Sequence, residues 1–160
     1  MVGLIDYSSL SVNKRVEYAS GLIIASELAV LALDENYEVR CAVAYNPYTD
    51  VKTRLVLSRD RDSRVRSAVA DSEFTDPYIL SGIAGDTSFN VCIAVANNRN
   101  TPAAALDYLA TDDCWYIRYA VAQNENALLQ TLHFLCDDQV ADVSEMAMRT
   151  LNPSMYEGSN

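Results

Sequence analysis

Catalysis by acyl or phosphoryl transfer needs a nucleophile beside a base, a metal centre, or a glycine-rich phosphate cradle. The sequence supplies none of these. Its one histidine, His133, lies in an apolar stretch, where an imidazole is expected to pack rather than to shuttle protons. Four cysteines, Cys41, Cys92, Cys114 and Cys136, are widely scattered and form no C-x-x-C pair. They read as reduced thiols of a cytoplasmic protein, with no metal and no cofactor implied. No nucleophile elbow is present. With 22 acidic side chains some carboxylate pairs are inevitable, so their occurrence alone singles out no catalytic site. The chemistry left is recognition.

Three groups of residues are candidates for recognition. Aspartate and arginine recur six apart, at Asp34/Arg40, Asp60/Arg66 and Asp112/Arg118. Such a series is either an arginine ladder for phosphates and carboxylates or a structural device, the Asp holding turn amides and the Arg bridging to a neighbour; the structural reading is preferred. A basic island, Lys52, Arg54, Arg59, Arg61, Arg64 and Arg66, interrupts a chain whose formal net charge is −10. Four acids between residues 51 and 75 offset these six cations, so direct nucleic-acid binding is not expected. The third group is acidic: Asp112, Asp113, Asp137, Asp138 and Asp142, with Glu145. It suits solubility, or an inhibitor that presents acids as a nucleic acid presents phosphates, as phage-encoded anti-defence proteins can.

These residues are placed by an internal repeat. Val39-Arg40-Cys41-Ala42-Val43-Ala44 returns at Val65, Val91 and Ile117, and in degenerate form at Val143. The step is 26 residues each time. Asp34, Asp60, Asp86, Asp112 and Asp138 keep it, as do Leu31, Leu57, Ile83, Leu109 and Leu135, and Thr49, Thr75 and Thr101. A unit this small cannot bury its own apolar face, so neighbours must stack.

Two short helices fit each unit. The first is expected to start with Thr101 as N-cap and Pro102 at the first helical position, and to run to about Thr111. The second is capped near Asn36, Asp62 and Ser88, buries Val39, Ala42, Val43 and Asn46 at i, i+3, i+4 and i+7, and ends at Asn46, Asn98 and Asn124. The positions facing away from that stripe change from unit to unit: Glu38, Cys41, Tyr45; Arg64, Ser67, Asp71; Asn90, Ile93, Asn97; Tyr116, Tyr119, Gln123. They would line one surface. Tyr45, Arg64, Asn90, Asn97, Trp115, Tyr116, Tyr119 and Gln123 are therefore the expected partner contacts, aromatic residues and arginine being favoured at interfaces.

Across about residues 23 to 151, Thr101-Pro102, Leu106, Leu109-Ala110, Asp112, Ile117-Arg118, Ala120-Val121-Ala122 and Asn124 carry a pattern that resembles leucine-rich repeat variants and short HEAT-like repeat proteins. The resemblance implies an all-α, right-handed α-solenoid of about five 26-residue two-helix repeats with degenerate terminal caps. Residues 1–22 would be an N-terminal cap helix (roughly Val12 to Ser20), 23–151 the solenoid and 152–160 a polar tail. Helical-repeat folds include DNA glycosylases, but those need a basic concave face that this composition does not offer. Fold does not transfer function. The expectation is a protein-binding module, with a protein partner, no direct nucleic-acid binding, and self-association as a further possibility. Met1 to Leu10 lacks the basic flank and apolar run of a signal peptide, and Leu22 to Leu33 is too short to span a membrane.

Overall fold

The computed structural model describes residues 5–155, so the first and last residues of the expected cap and tail lie outside it. All regular structure among the described residues is helical. The chain divides into two compact units, Met1–Thr75 and Asp76–Asn160.

The first unit holds α1 (Val12–Ser20), α2 (Ala25–Leu31), α3 (Tyr37–Tyr45), α4 (Val51–Leu57) and α5 (Ser63–Asp71). The second holds α6 (Pro77–Ile83), α7 (Phe89–Asn97), α8 (Ala103–Leu109), α9 (Trp115–Gln123), α10 (Leu129–Cys136) and α11 (Ala141–Leu151). The pairs α2–α3, α4–α5, α6–α7, α8–α9 and α10–α11 are the five repeats. First helices of seven or eight residues are too short to persist alone. They persist because each drives leucines inward: Leu28, Leu80, Leu106 and Leu132 on one turn, Leu31, Leu57, Leu109 and Leu135 on the next, all buried. Each such side chain contributes roughly 1.5–3 kcal/mol. Second helices bury Val39, Val65, Val91, Ile117 and Val143, and fully bury the alanines Ala44, Ala70, Ala96 and Ala122. Small side chains there let α1, α3 and α5 pack closely in one unit and α7, α9 and α11 in the other.

The recurrent threonine is not the helix cap that its neighbour Pro102 suggests. Helix α8 begins one residue later, with Pro102 at the N-cap. Asp50 and Asp76 occupy that place in α4 and α6 and accept amides there. The hydroxyls of Thr49, Thr75 and Thr101 instead turn back. Each is buried and donates to the carbonyl six residues earlier, of Val43, Val69 and Val95, at 2.6 Å. The threonine thus closes the C-terminus of the preceding helix, whose last carbonyls have no intrahelical donor. At the second helices, Asn36 and Asp62 cap α3 and α5 as expected, while Ser88 holds the cap position of α7 without a side-chain bond.

Helix α1 matches the expected span and has a role the 26-residue step conceals. Arg15 lies 25 residues before Arg40 and does the same work. It pairs with Asp34 at 2.7 Å, as Arg40 pairs with Asp60 at 2.7 Å, and its Nη1 donates to the carbonyl of Leu10. Helix α1 is therefore built as the second helix of a further repeat, shifted by one residue.

The buried asparagines at the helix ends bind two repeats together. Asn46 accepts the amide of Tyr48 and donates to the carbonyls of Ala19 and Gly21 (2.7 and 2.9 Å) in the preceding repeat. Asn124 accepts the amide of Asn126 and donates to Ala96 and Asn98 (2.8 and 3.1 Å). The residue 26 after Asn46 is Ser72, a hydroxyl where Asn46, Asn98 and Asn124 carry an amide. Its place is taken by Arg54, which stands where other repeats have a core leucine. Arg54 is 2% exposed and donates to the carbonyls of Ala44, Asn46 and Thr49 and to the Ser72 hydroxyl. Arginine and serine stand here where three other repeats have leucine and asparagine, and burial draws the guanidinium pKa down. Arg54 therefore belongs to the core and not to a basic surface patch.

This exchange generates a coupling test. Arg54→Leu alone should cost about 2–3 kcal/mol, because it strips donors from buried carbonyls. Ser72→Asn alone should also destabilise, since its amide competes with the guanidinium. The double variant should lie at least about 1 kcal/mol above the sum of the singles in urea denaturation. Additive losses would show that the two positions act separately.

Candidate functional site

The repeating aspartates each hold the turn that follows them. One oxygen of Asp34, Asp60, Asp86, Asp112 and Asp138 accepts the amide two residues on, at 2.8–2.9 Å, fixing the turn into the second helix. Arginines from the preceding repeat then reach Asp34, Asp60 and Asp138. Arg40 grips Asp60 through two bonds of 2.7 and 2.9 Å, and Arg118 grips Asp138 at 2.6 and 2.9 Å. The third donor of each arginine crosses the turn of its own repeat: Arg40 to the carbonyls of Asp34 and Glu35, Arg118 to those of Asp112 and Asp113. Arg66 likewise donates to the Asp60 carbonyl at 2.8 Å. The ladder is structural, bidentate and nearly buried.

It also sorts the acidic group. The Asp138 side chain is 7% exposed and held by Arg118, whose hydrogen bonds are the main reason its pKa falls below the usual carboxylate range. Asp112 is half-buried at its turn. Asp113, Asp137 and Asp142 are exposed. In the basic island, Arg54 is buried, and Arg64 pairs with Asp62 at 2.6 Å while its guanidinium lies 3.4 Å from the Tyr37 ring centroid. The Asp62 pKa is pulled to about 2, first by the side-chain bonds from Arg64. Lys52, Arg59 and Arg61 remain exposed.

The variable positions of the second helices fall in both units. In the first unit, Tyr45 is half-exposed and donates to Asp71 at 3.0 Å; burial and the Asp71 charge push its pKa up to about 12. Arg64 sits beside Tyr37 as described. In the second unit, Asn90 and Asn97 are exposed on α7. Trp115, Tyr116, Tyr119 and Gln123 gather on α9. Trp115 stacks on Tyr116 with centroids 3.8 Å apart and planes at 25°, and Tyr119 meets the indole edge-on at 6.5 Å and 82°. The Gln123 amide donates to the Tyr119 hydroxyl at 3.4 Å.

The three rings form one wall of a cleft of about 560 Å³. Its other wall is α11: Asp142, Glu145, Met146 and Arg149. The aromatic wall follows from the expected contact positions. The opposite wall does not, because Asp142 reads as one of an acidic group and Arg149 draws no attention alone. Its signal was the register: Arg149 stands 26 residues after Gln123.

One further expectation changes. His133 is exposed on α10 rather than packed, and its Nδ1–H donates to the Leu129 carbonyl at 2.7 Å. The cysteines are free, and burial, with the Asp62 charge, pushes the Cys41 thiol up to about 11. Among the described residues no group of three or more His, Cys, Asp or Glu side chains is placed to hold a metal ion. No helix among them is long and apolar enough to cross a membrane.

No protein-family model and no curated protein matches the chain. Among solved structures it is similar to a leucine-rich repeat variant with a novel repetitive protein structural motif. The two share 22% identity, with 90% of this chain and 68% of that one covered, at a TM-score of 0.50. That likeness establishes the fold alone. The fold is a helical-repeat solenoid of the leucine-rich repeat variant kind.

In this fold Cys92 is the one ladder position, within α7, α9 and α11, where a thiol replaces the guanidinium facing an aspartate. Its S–H donates to the Asp86 carbonyl at 3.0 Å, as an arginine Nη1 would, and among the described residues no arginine pairs with Asp112 of the next repeat. Cys92→Arg should complete the ladder and raise Tm by about 2–4 °C in a thermal melt. An unchanged or lower Tm would show that the site cannot admit the longer chain.

The Asp138 pair has a pH signature. Its folded pKa lies below the unfolded value of about 3.9. Its contribution is thus complete above that value and fades as pH falls through the folded pKa. Asp138→Asn should destabilise at pH 7, and the gap from wild type should close in urea titrations taken down through pH 4 to pH 2. A gap constant with pH would exclude the ion pair as its cause.

Proposed function

We propose that the chain is a non-catalytic protein-binding module of the cytoplasm that uses the variable face of its second helices. Repeat folds of this type are typically interaction scaffolds, with a fixed set of positions for stacking and a free set for contact. The observation that carries the reading is the cleft between α9 and α11. Two rings of its aromatic wall, Tyr116 and Tyr119, stand at the changing positions of the repeat, and Trp115 adjoins them at the start of the same helix. Tyr116 is 54% exposed although its ring is already stacked, so it costs little ordering entropy on binding. Rigid, partly exposed aromatic side chains are the usual anchors of an interface.

The alternative, an acidic inhibitor or nucleic-acid mimic, needs Asp112, Asp113, Asp137, Asp138 and Asp142 presented together. Asp138 is committed to Arg118, which weakens that array and favours the aromatic cleft.

The test is affinity capture with the full chain from its native cells at low and high salt. A Tyr116→Ala/Tyr119→Ala double variant should retain the helical circular dichroism signal and lose the captured partner by at least about tenfold. Tyr108→Ala, an equally exposed tyrosine on first helix α8, should keep it. A captured set unchanged by the double variant would overturn this choice of face.

A further inference from the structure

The two walls of the cleft differ in chemistry, and the difference selects a ligand. On α9 the walls are π-faces and edges, with Trp115 and Tyr116 stacked and Tyr119 set perpendicular to the indole. On α11, Asp142 and Glu145 are three residues apart, hence on one face, and both are exposed. Arg149 lines the same cleft, so two carboxylates oppose one guanidinium and the lining keeps one net negative charge. An aromatic surface facing carboxylates is the combination that attracts a planar cation: the ring quadrupole draws it over the face, and the carboxylates accept its N–H groups. An anionic ligand would meet Asp142 and Glu145; a purely apolar one would leave both carboxylates desolvated. The chain's net charge of −10 adds a long-range field of the same sign.

We propose that this cleft binds an arginine side chain displayed by a basic segment of the protein partner, the guanidinium stacking against the α9 aromatic wall and pairing with Asp142 and Glu145. The inference rests on the protein-binding reading above and names the chemistry of the partner at that same site. The proposal concerns one side-chain pocket and its arginine, not an array of phosphate-like charges, so it is distinct from nucleic-acid mimicry.

Trp115 is the single tryptophan, so its fluorescence reports from the site itself. The probe is a short glycine–arginine peptide, titrated into the full chain at low salt, with the same peptide carrying citrulline, the neutral isostere of arginine, as its control. The arginine peptide should change Trp115 emission saturably and the citrulline peptide should not. Asp142→Asn/Glu145→Gln should raise the dissociation constant by at least about tenfold while leaving the melting temperature close to wild type, since both side chains are exposed. Equal responses to arginine and citrulline, or a dissociation constant unmoved by Asp142→Asn/Glu145→Gln, would overturn the proposal. So would the absence of any saturable response. If the peptide is silent while the captured partner still depends on Tyr116 and Tyr119, the arginine assignment fails and the binding module stands. If the partner also ignores Tyr116 and Tyr119, both fail.

Discussion

Every repeat leaves backbone groups that only another repeat can satisfy. A two-helix unit with helices of seven to eleven residues ends four times within its span, and each end exposes carbonyls or amides that the helix cannot pair. The chain answers with a small set of side chains that reach across repeats. Asn46 and Asn124 carry amide donors to carbonyls of the preceding repeat, and Arg15, Arg40 and Arg118 carry guanidinium donors to the next repeat's aspartate. Hydrophobic stacking supplies most of the free energy, but valine and alanine are permissive about register. The polar bridges are not, because a one-residue slip would leave a buried guanidinium or amide unpaired, at a cost of several kcal/mol. This favours a constant 26-residue step, and where the step shortens by one residue, at Arg15, the bridge to Asp34 is still made.

That constraint explains what was legible in the sequence. The five two-helix repeats, the asparagine helix ends and the bridging sense of the Asp/Arg series all follow from residues repeated at one step, because the same physical demand recurs. Helix α1 was legible as a helix but not as a repeat partner, since its bridge from Arg15 is displaced by one residue from that step. The threonine was misplaced for a different reason. Thr-Pro at a helix start is a strong local signal, yet here a tertiary demand, the open carbonyls of Val43, Val69 and Val95, takes the hydroxyl instead. Arg54 shows the limit most clearly: a charge count places it on the surface, whereas its register places it among Leu28, Leu80 and Leu106. Position within the repeat outweighs residue type.

The candidate site divides along the same line. Its aromatic wall was legible, because Trp115, Tyr116 and Tyr119 occupy positions where the repeat imposes nothing. The cleft was not, since a cleft is a relation between two second helices and only α11 supplies the facing acids. The acidic group read from the sequence mixed two populations that composition cannot separate. Asp112 and Asp138 belong to the turns of the fold, while Asp113, Asp137 and Asp142 face solvent.

The division of labour also shapes the electric field. Arg15, Arg40 and Arg118 are buried against Asp34, Asp60 and Asp138, and each pair cancels. Arg54 is buried with carbonyls and a hydroxyl alone, so its charge is withdrawn from the surface without taking an acid with it. The side chains that a partner touches are therefore richer in acid than the composition suggests, while the net charge stays at the formal −10. Long-range attraction then favours basic partners for the molecule as a whole, whereas discrimination among them requires short-range geometry. Of the exposed acids that face solvent in the last repeats, Asp142 and Glu145 stand opposite an aromatic wall, where a cation gains both a π-face and a carboxylate. The structural ladder consumes its own arginines, so on the proposed reading an arginine from outside would find between α9 and α11 the same kind of carboxylate partner that the fold provides for its own.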